Sequence, residues 1–324
     1  MTPLEFEARH AALWDELENA QTAVRSRWKR GAPRPSIDRA RVVVLYRAAC
    51  EHLAVAEARS YPVWLIARLQ SLTARAHQRI YRQSDLGLGK LARLFLVDFP
   101  ASVRSHRLQV LIAFVAFAGP LLVIGTMSYF DPGFILSLHD VRAVDGYERM
   151  YGDGYEPIGR RNAASDWVMF GIYIRNNIGI AFQCFASGLV FGVGSLFYLA
   201  VNGAWAGSVA GYLTWRGHGQ NFYSFVVTHG AFELTAIVLA GAAGLALGQA
   251  LIAPGRLTRL AALKAAAARA IVLVYGIVAM LAIAAAIEAF WSSARWVEPS
   301  LKFGVGAACW LGVIAYLTLQ GRPR

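Results

Sequence analysis

Apolar residues recur at helical spacing from the start of the chain. Along residues 4 to 29, Leu13, Leu17, Ala20 and Val24 share one stripe, and GAPRP at 31 to 35 then breaks the helix. A second stripe follows in Val43, Tyr46, Cys50 and Leu53. Pro62 stands where a first helical turn tolerates proline, opening a third helix with Leu65, Leu69, Leu72 and Ala76 on one face. Short connections between such stripes predict a soluble bundle with antiparallel neighbours. The segment DLGLGKLARLFLVDFP at 85 to 100 then reads as an amphipathic elbow lying against a membrane. Residues 1–100 therefore form a first domain and 101–324 a second.

The second domain is patterned differently. No charge interrupts Leu108 to Phe130, a run of 23 residues that spans about 34 Å as a helix, against a hydrocarbon core of about 30 Å. Pro120 predicts a kink within it. The loop at 131–176 carries seven acidic and five basic side chains, so the positive-inside bias puts it outside. Near its end, Trp167, Phe170 and Ile174 share a face suited to a helix in the outer interface. The uncharged run between Arg175 and Arg216 is too long for one crossing. Asn202-Gly203 is a natural breaker, which predicts a full span at 178 to 201 and a short or re-entrant piece at 204 to 215. A further run covers 221 to 252, and the loop at 253 to 269 has four basic residues and no acidic ones, so it belongs on the cytoplasmic side. An odd number of crossings must separate that loop from the outer one. With spans at 270 to 291 and 303 to 321, the pattern predicts an all-α, polytopic membrane protein of about six segments.

Composition agrees with this pattern. The 324 residues are 56% hydrophobic and 16% charged, too apolar for an ordinary soluble domain. Of 20 acidic residues, 17 precede Asn176, leaving Glu233, Glu288 and Glu298. The opening stretch lacks the basic start and apolar run of a secretory signal, which predicts a cytoplasmic amino terminus. A net charge of +12 fits the basic cytoplasmic flanks of membrane proteins, and no base-reading motif points to nucleic acid. Cys50, Cys184 and Cys309 lie far apart among apolar neighbours and read as packing residues.

The candidate chemistry sits in THGAFELTAIVLAGAAG at 228 to 244. A carboxylate in hydrocarbon costs several kcal/mol, yet His229 and Glu233 stand one helical turn apart on one face. Such a pair can relay a proton, hold a ligand, or fix helix packing through hydrogen bonds. HGAFE lacks the second histidine of a metalloprotease motif, so neither a metal site nor catalysis is expected, and no cofactor. Asn202 joins the pair as a candidate for the intramembrane centre. Arg175, Asn176 and Asn177 are candidates for its entrance, or else cap the interfacial helix. Glu288, beside Trp291, is expected to reach the outer interface. Gly188, Gly192 and Gly194, and then Gly241, Gly244 and Gly248, predict close helix approach. These glycines lack the surroundings of a phosphate loop.

IRNNIGIAFQCFASGLVFGVGSLFYLAVNGAWAG at 174 to 207, followed by HGAFELTAIVLAGAAGLALG at 229 to 248, resembles the stage II sporulation protein M family of bacterial membrane proteins. The likeness extends in weaker form through YRAACEHLAVAEARSYP, LTARAHQRIY, MYGDGYEPIGRRNAASDWVMFGIYI and EAFWSS. It implies one of two settings. The family's namesake acts with cell-wall hydrolases during engulfment of the forespore, whereas many relatives are encoded near a MoxR-type ATPase and von Willebrand A-domain proteins. The amino-terminal bundle sets this chain apart from the namesake and favours the second group. The first expectation is thus a non-enzymatic scaffold in the bilayer for envelope or MoxR and von Willebrand A-type partners, with homo-oligomerisation left open. The alternative is a secondary transporter or channel built on His229 and Glu233.

Overall fold

In the computed structural model, residues 1–22, 39–81, 88–152, 163–294 and 296–322 are described. Val24, the breaker at 31 to 35, the start of the elbow at 85 to 87 and the stretch at 153 to 162 lie outside them. Every regular element among the described residues is helical. The chain divides into two units, Met1–Lys90 and Leu91–Arg324.

The first unit is built on α1 (Pro3–Thr22), α2 (Arg39–Ala58) and α3 (Val63–Tyr81). Its core gathers Phe6, Trp14 and Leu17 from α1, Leu45, Ala49 and Ala56 from α2, and Leu65, Leu69, Leu72 and Ala76 from α3. The α3 stripe is the one expected. On α1 and α2 the buried face is turned by about one residue, with Leu13, Tyr46 and Leu53 left at the core's edge, because the large Trp14 and Phe6 rings take the centre. Trp14 also donates from Nε1 to His52 Nδ1 at 3.1 Å, satisfying the polar tip of a fully buried ring. Outside the core, Arg68 bridges Glu7 and Asp15 at 3.3 and 2.9 Å.

The second unit begins within α4 (Leu88–Arg93) and continues through a π-helical turn over Leu94–Asp98 and α5 (Phe99–Ser105). The apolar end of the expected elbow belongs to this unit's core. The Phe99 ring, 1% exposed, covers Gly276, where an added Cβ would stand 2.0 Å from the ring. Five helices here are long and apolar enough to cross a membrane: α6 (Arg107–Phe130), α9 (Val193–Trp215), α10 (Gly219–Ile252), α11 (Arg259–Ile287, with its continuation to Ser292) and α12 (Pro299–Leu319). Between α6 and α9 lie α7 (Val141–Tyr151) and α8 (Ala163–Ala186).

Two expectations about the middle of the chain are corrected. Asn202-Gly203 breaks nothing, because it lies inside the continuous α9, so the piece at 204 to 215 is not a short or re-entrant segment. The break falls instead at Ser187–Gly192, where Phe191 and Gly192 take left-handed backbone at φ 49° and 82°. The expected interfacial helix and the start of the following span are one helix, α8, that runs through Arg175, Asn176 and Asn177, so these residues cap nothing. The basic loop is also shorter than expected, since α11 already begins at Arg259.

The direction of each helix follows from its contacts. On α9, Gly203, Gly207 and Gly211 lie against Phe117, Leu121 and Gly125 of α6, and a Cβ on any of the three would come within about 2.2 Å of a backbone oxygen. The numbers rise together on both helices, so α6 and α9 run parallel. The chain between them must return, and α8 does so beside α10. Asn177 of α8 faces Glu233 of α10, and the Cys184 and Phe185 carbonyls lie against Gly244. Gly188 abuts Gly244 and Gly192 abuts Gly248, which brings the break to the far end of α10.

Candidate intramembrane centre

The centre forms where α10 meets the end of α11. His229 and Glu233 project from one face of α10, and α11 ends in a π-helical turn, Glu288–Ser292. The wider turn shifts the register of the last side chains, as such turns do at functional sites. Glu288, the first residue of that turn and still bonded through its N–H to the Ala284 carbonyl one turn back, reaches the α10 pair, so that one ligand-type atom from each of His229, Glu233 and Glu288 lies within 4.8 Å of the others. Glu288 thus joins the centre rather than serving only at the interface. His229 is 6% exposed, while both glutamates are half-buried.

Ser292, at the other end of the π turn, ties the surroundings together. Its Oγ lies 3.0 Å from His229 Nδ1, and its carbonyl accepts from Lys302 Nζ at 2.7 Å. Lys302 is itself buried at the start of α12, and its carbonyl accepts from Thr228 Oγ1 at 3.4 Å. The Phe225 ring packs on the His229 ring edge-on at 5.3 Å.

Not every polar group in this cluster is satisfied. Asn177 is 3% exposed; its amide faces the Glu233 carboxyl, yet neither Asn177 Nδ2 nor Glu233 Oε2 reaches a partner in hydrogen-bond geometry. Buried polar atoms left in this way are uncommon and costly. Electrostatics adds to the tension. Two ionised carboxylates with oxygens within 4.8 Å of each other repel by about 3 kcal/mol or more at an effective dielectric near 20. A positive charge placed between them removes that cost.

The other expected site residues lie elsewhere. Asn202 donates to the Tyr198 carbonyl one turn earlier on α9, at 2.7 Å. Arg175 and Asn176 are exposed, and Asn176 Nδ2 donates to Asn177 Oδ1 at 2.9 Å, so of the three expected entrance residues only Asn177 turns to the centre. Ser292 and Lys302 are additions to the set. Lys302, a cation opening an apolar run, was the available signal; nothing in EAFWSS singles out Ser292.

The segment between α6 and α8 is fastened to α9. His139, between the 3₁₀ turn Pro132–Ser137 and α7, meets Ser208 through Nε2 at 2.8 Å, and Tyr147 OH lies 3.3 Å from its Nδ1. Burial lowers the His139 pKa from its ordinary 6.5. Glu148 of α7 accepts from Tyr212 and pairs with Arg216 at 2.8 Å. Those two hydrogen bonds, Tyr212 first, hold its carboxyl below the ordinary 4.5. Tyr151 continues the contact, stacking edge-on against Phe222 and Phe225 of α10 at 5.2 and 5.9 Å.

A family model described as Stage II sporulation protein M matches residues 109–293. A second, described as Domain of unknown function (DUF8413), matches residues 4–82. The boundary between the two matches falls close to that between the structural units. No curated protein and no solved structure matches the chain.

Proposed function

This chain belongs to the stage II sporulation protein M family, and from that premise we propose that it is a non-enzymatic membrane protein that passes a proton or small cation through the His229, Glu233 and Glu288 centre. The observation that supports this reading is the meeting of two carboxylates and an imidazole, with polar atoms left unpartnered beside them. Ionisable side chains inside a membrane domain are costly and are read by default as functional, ion pathways and proton relays among their uses. The reading also includes six crossings in a bacterial inner membrane. The amino terminus, the 253–258 loop and the carboxyl terminus are cytoplasmic, and the segment between α6 and α8 is outside. The centre then lies in the outer half of the bilayer, next to the segment fastened by Glu148 and His139.

This order reverses the two sequence-based expectations. A scaffold role stands second, and the separately matched amino-terminal unit with its own core supports it. That unit would dock envelope or MoxR and von Willebrand A-type partners.

Reconstitution into lipid vesicles tests the transport reading. Under an imposed membrane potential, wild-type protein is expected to carry cations or protons at a rate well above that of empty vesicles. Glu233→Gln, which keeps shape but cannot ionise, is expected to reduce the rate at least tenfold while keeping its gel-filtration profile. Equal rates in the variant and wild type would remove the centre from the pathway.

A further inference from the structure

The geometry points to His229, Glu233 and Glu288 as ligands of one divalent transition-metal ion of the zinc class, with Asn177 and Ser292 as outer partners. The inference rests on the proposed cation-handling function only in the claim that the ion moves; binding stands on the geometry by itself.

The donor set is the first ground. One imidazole nitrogen with two carboxylates suits zinc, cobalt or manganese better than calcium or magnesium, which prefer oxygen alone. Charge is the second. A dipositive ion between two carboxylates and a neutral imidazole gives a neutral assembly, which is what an apolar surrounding tolerates.

The outer partners supply the third. A hydrogen bond from His229 Nδ1 to Ser292 Oγ would leave Nε2 with its lone pair free for the ion, and metal-bound histidines are commonly held in this way. Asn177 Nδ2 is unpartnered in a side chain 3% exposed and faces Glu233. It is placed to donate to whichever Glu233 oxygen does not ligate, so the orphaned donor gains a role once the carboxylate turns to an ion.

Distances are compatible. Ligands at about 2.0 to 2.1 Å around a tetrahedral ion stand roughly 3.3 Å apart. The present limit of 4.8 Å therefore requires inward movement of about 1.5 Å at most, within the reach of two flexible glutamate side chains. Glu233 and Glu288 are half-buried as whole residues, while Glu233 Oε2 itself is buried. Water completes the coordination shell. With one histidine and no second imidazole beside it, the arrangement resembles a binding or transfer site more than a hydrolytic one.

Cobalt titration of the purified, metal-stripped full-length chain in detergent tests this. Wild-type protein is expected to bind one Co²⁺ per chain with visible absorption bands, displaced by Zn²⁺. Glu233→Gln and Glu288→Gln should each weaken binding at least tenfold, and Asn177→Ala about tenfold. The His10 and His52 rings of the first unit, tilted against each other with centroids 3.9 Å apart, are the obvious competitor, so His10→Gln should leave binding intact. Absent saturable binding, binding indifferent to both glutamine variants, or binding lost in His10→Gln would each overturn the proposal. If the glutamine variants fail to fold, X-ray absorption of zinc-loaded wild type decides: one imidazole with oxygen neighbours supports the site, while sulfur neighbours or several imidazoles overturn it. Stoichiometric binding without flux would retain the metal site and remove transport. Flux of other cations without metal binding would remove the metal and leave the transport reading standing.

Discussion

Glu148 shows how single side chains hold the segment between α6 and α8, and its chemistry sets a pH dependence. Tyr212 and Arg216 hold its folded-state pKa below 4.5, so the folded state binds fewer protons than the unfolded one there. The associated stability is present above about pH 4.5 and is lost as pH falls through the folded value. His139, lowered by burial from 6.5, acts in the same direction from a higher starting pH. Hydrogen exchange on α7 should therefore show protection at pH 7 that declines on acidification, with the final loss below about pH 4.5. In Glu148→Gln that final step should vanish, with α7 already less protected at neutral pH; an unchanged profile would show that the latch contributes nothing. At this scale the sequence was partly legible. Helical spacing alone places His229 and Glu233 on one face, because neighbours four apart on one helix need no tertiary knowledge. Glu288, Ser292 and Lys302 belong to other elements, and periodicity along one segment carries no information about which distant turn will meet it. Glu148 and His139 were illegible for the same reason.

Among the elements, α8 is the one that sequence patterning misplaced. Asn-Gly is a strong turn signal in water, but within α9 Gly203 opens a series with Gly207 and Gly211 whose four-residue spacing lets the α6 backbone approach. Packing against α6 outweighs local propensity there. The actual break uses Gly192, whose φ of 82° suits a residue without Cβ. The Trp167, Phe170 and Ile174 face beside Arg175 makes α8 look interfacial, yet the parallel pairing of α6 and α9 requires the chain to come back between them. Crossing by α8 is thus expected, and single cysteines in a cysteine-free chain test it. In intact cells an impermeant maleimide should label Leu136→Cys but reach Arg256→Cys only after permeabilisation. Labelling of Arg256→Cys from outside would mean five crossings, with α8 not traversing.

For the whole molecule, composition and hydropathy were enough to give the class. Long uncharged runs have few alternatives to spanning helices, and the bundle's α3 stripe was visible because its Leu spacing is regular. The register of α1 and α2 was less so, since bulk rather than periodicity put Trp14 and Phe6 at the centre. What global stability reveals is whether the centre is kept for the fold or for its chemistry. A packing role makes Glu233 a net contributor, whereas a functional role leaves it a burden, as its unpartnered oxygen suggests. Replacing an unsatisfied buried polar group with an apolar one of similar size is neutral or stabilising, while breaking a satisfied network costs about 1 to 3 kcal/mol. The most direct measurement is the thermal unfolding of purified Glu233→Leu beside wild type, both metal-free. A melting temperature equal to or above that of wild type is the predicted result. A fall of several degrees would contradict the account and make Glu233 a packing residue.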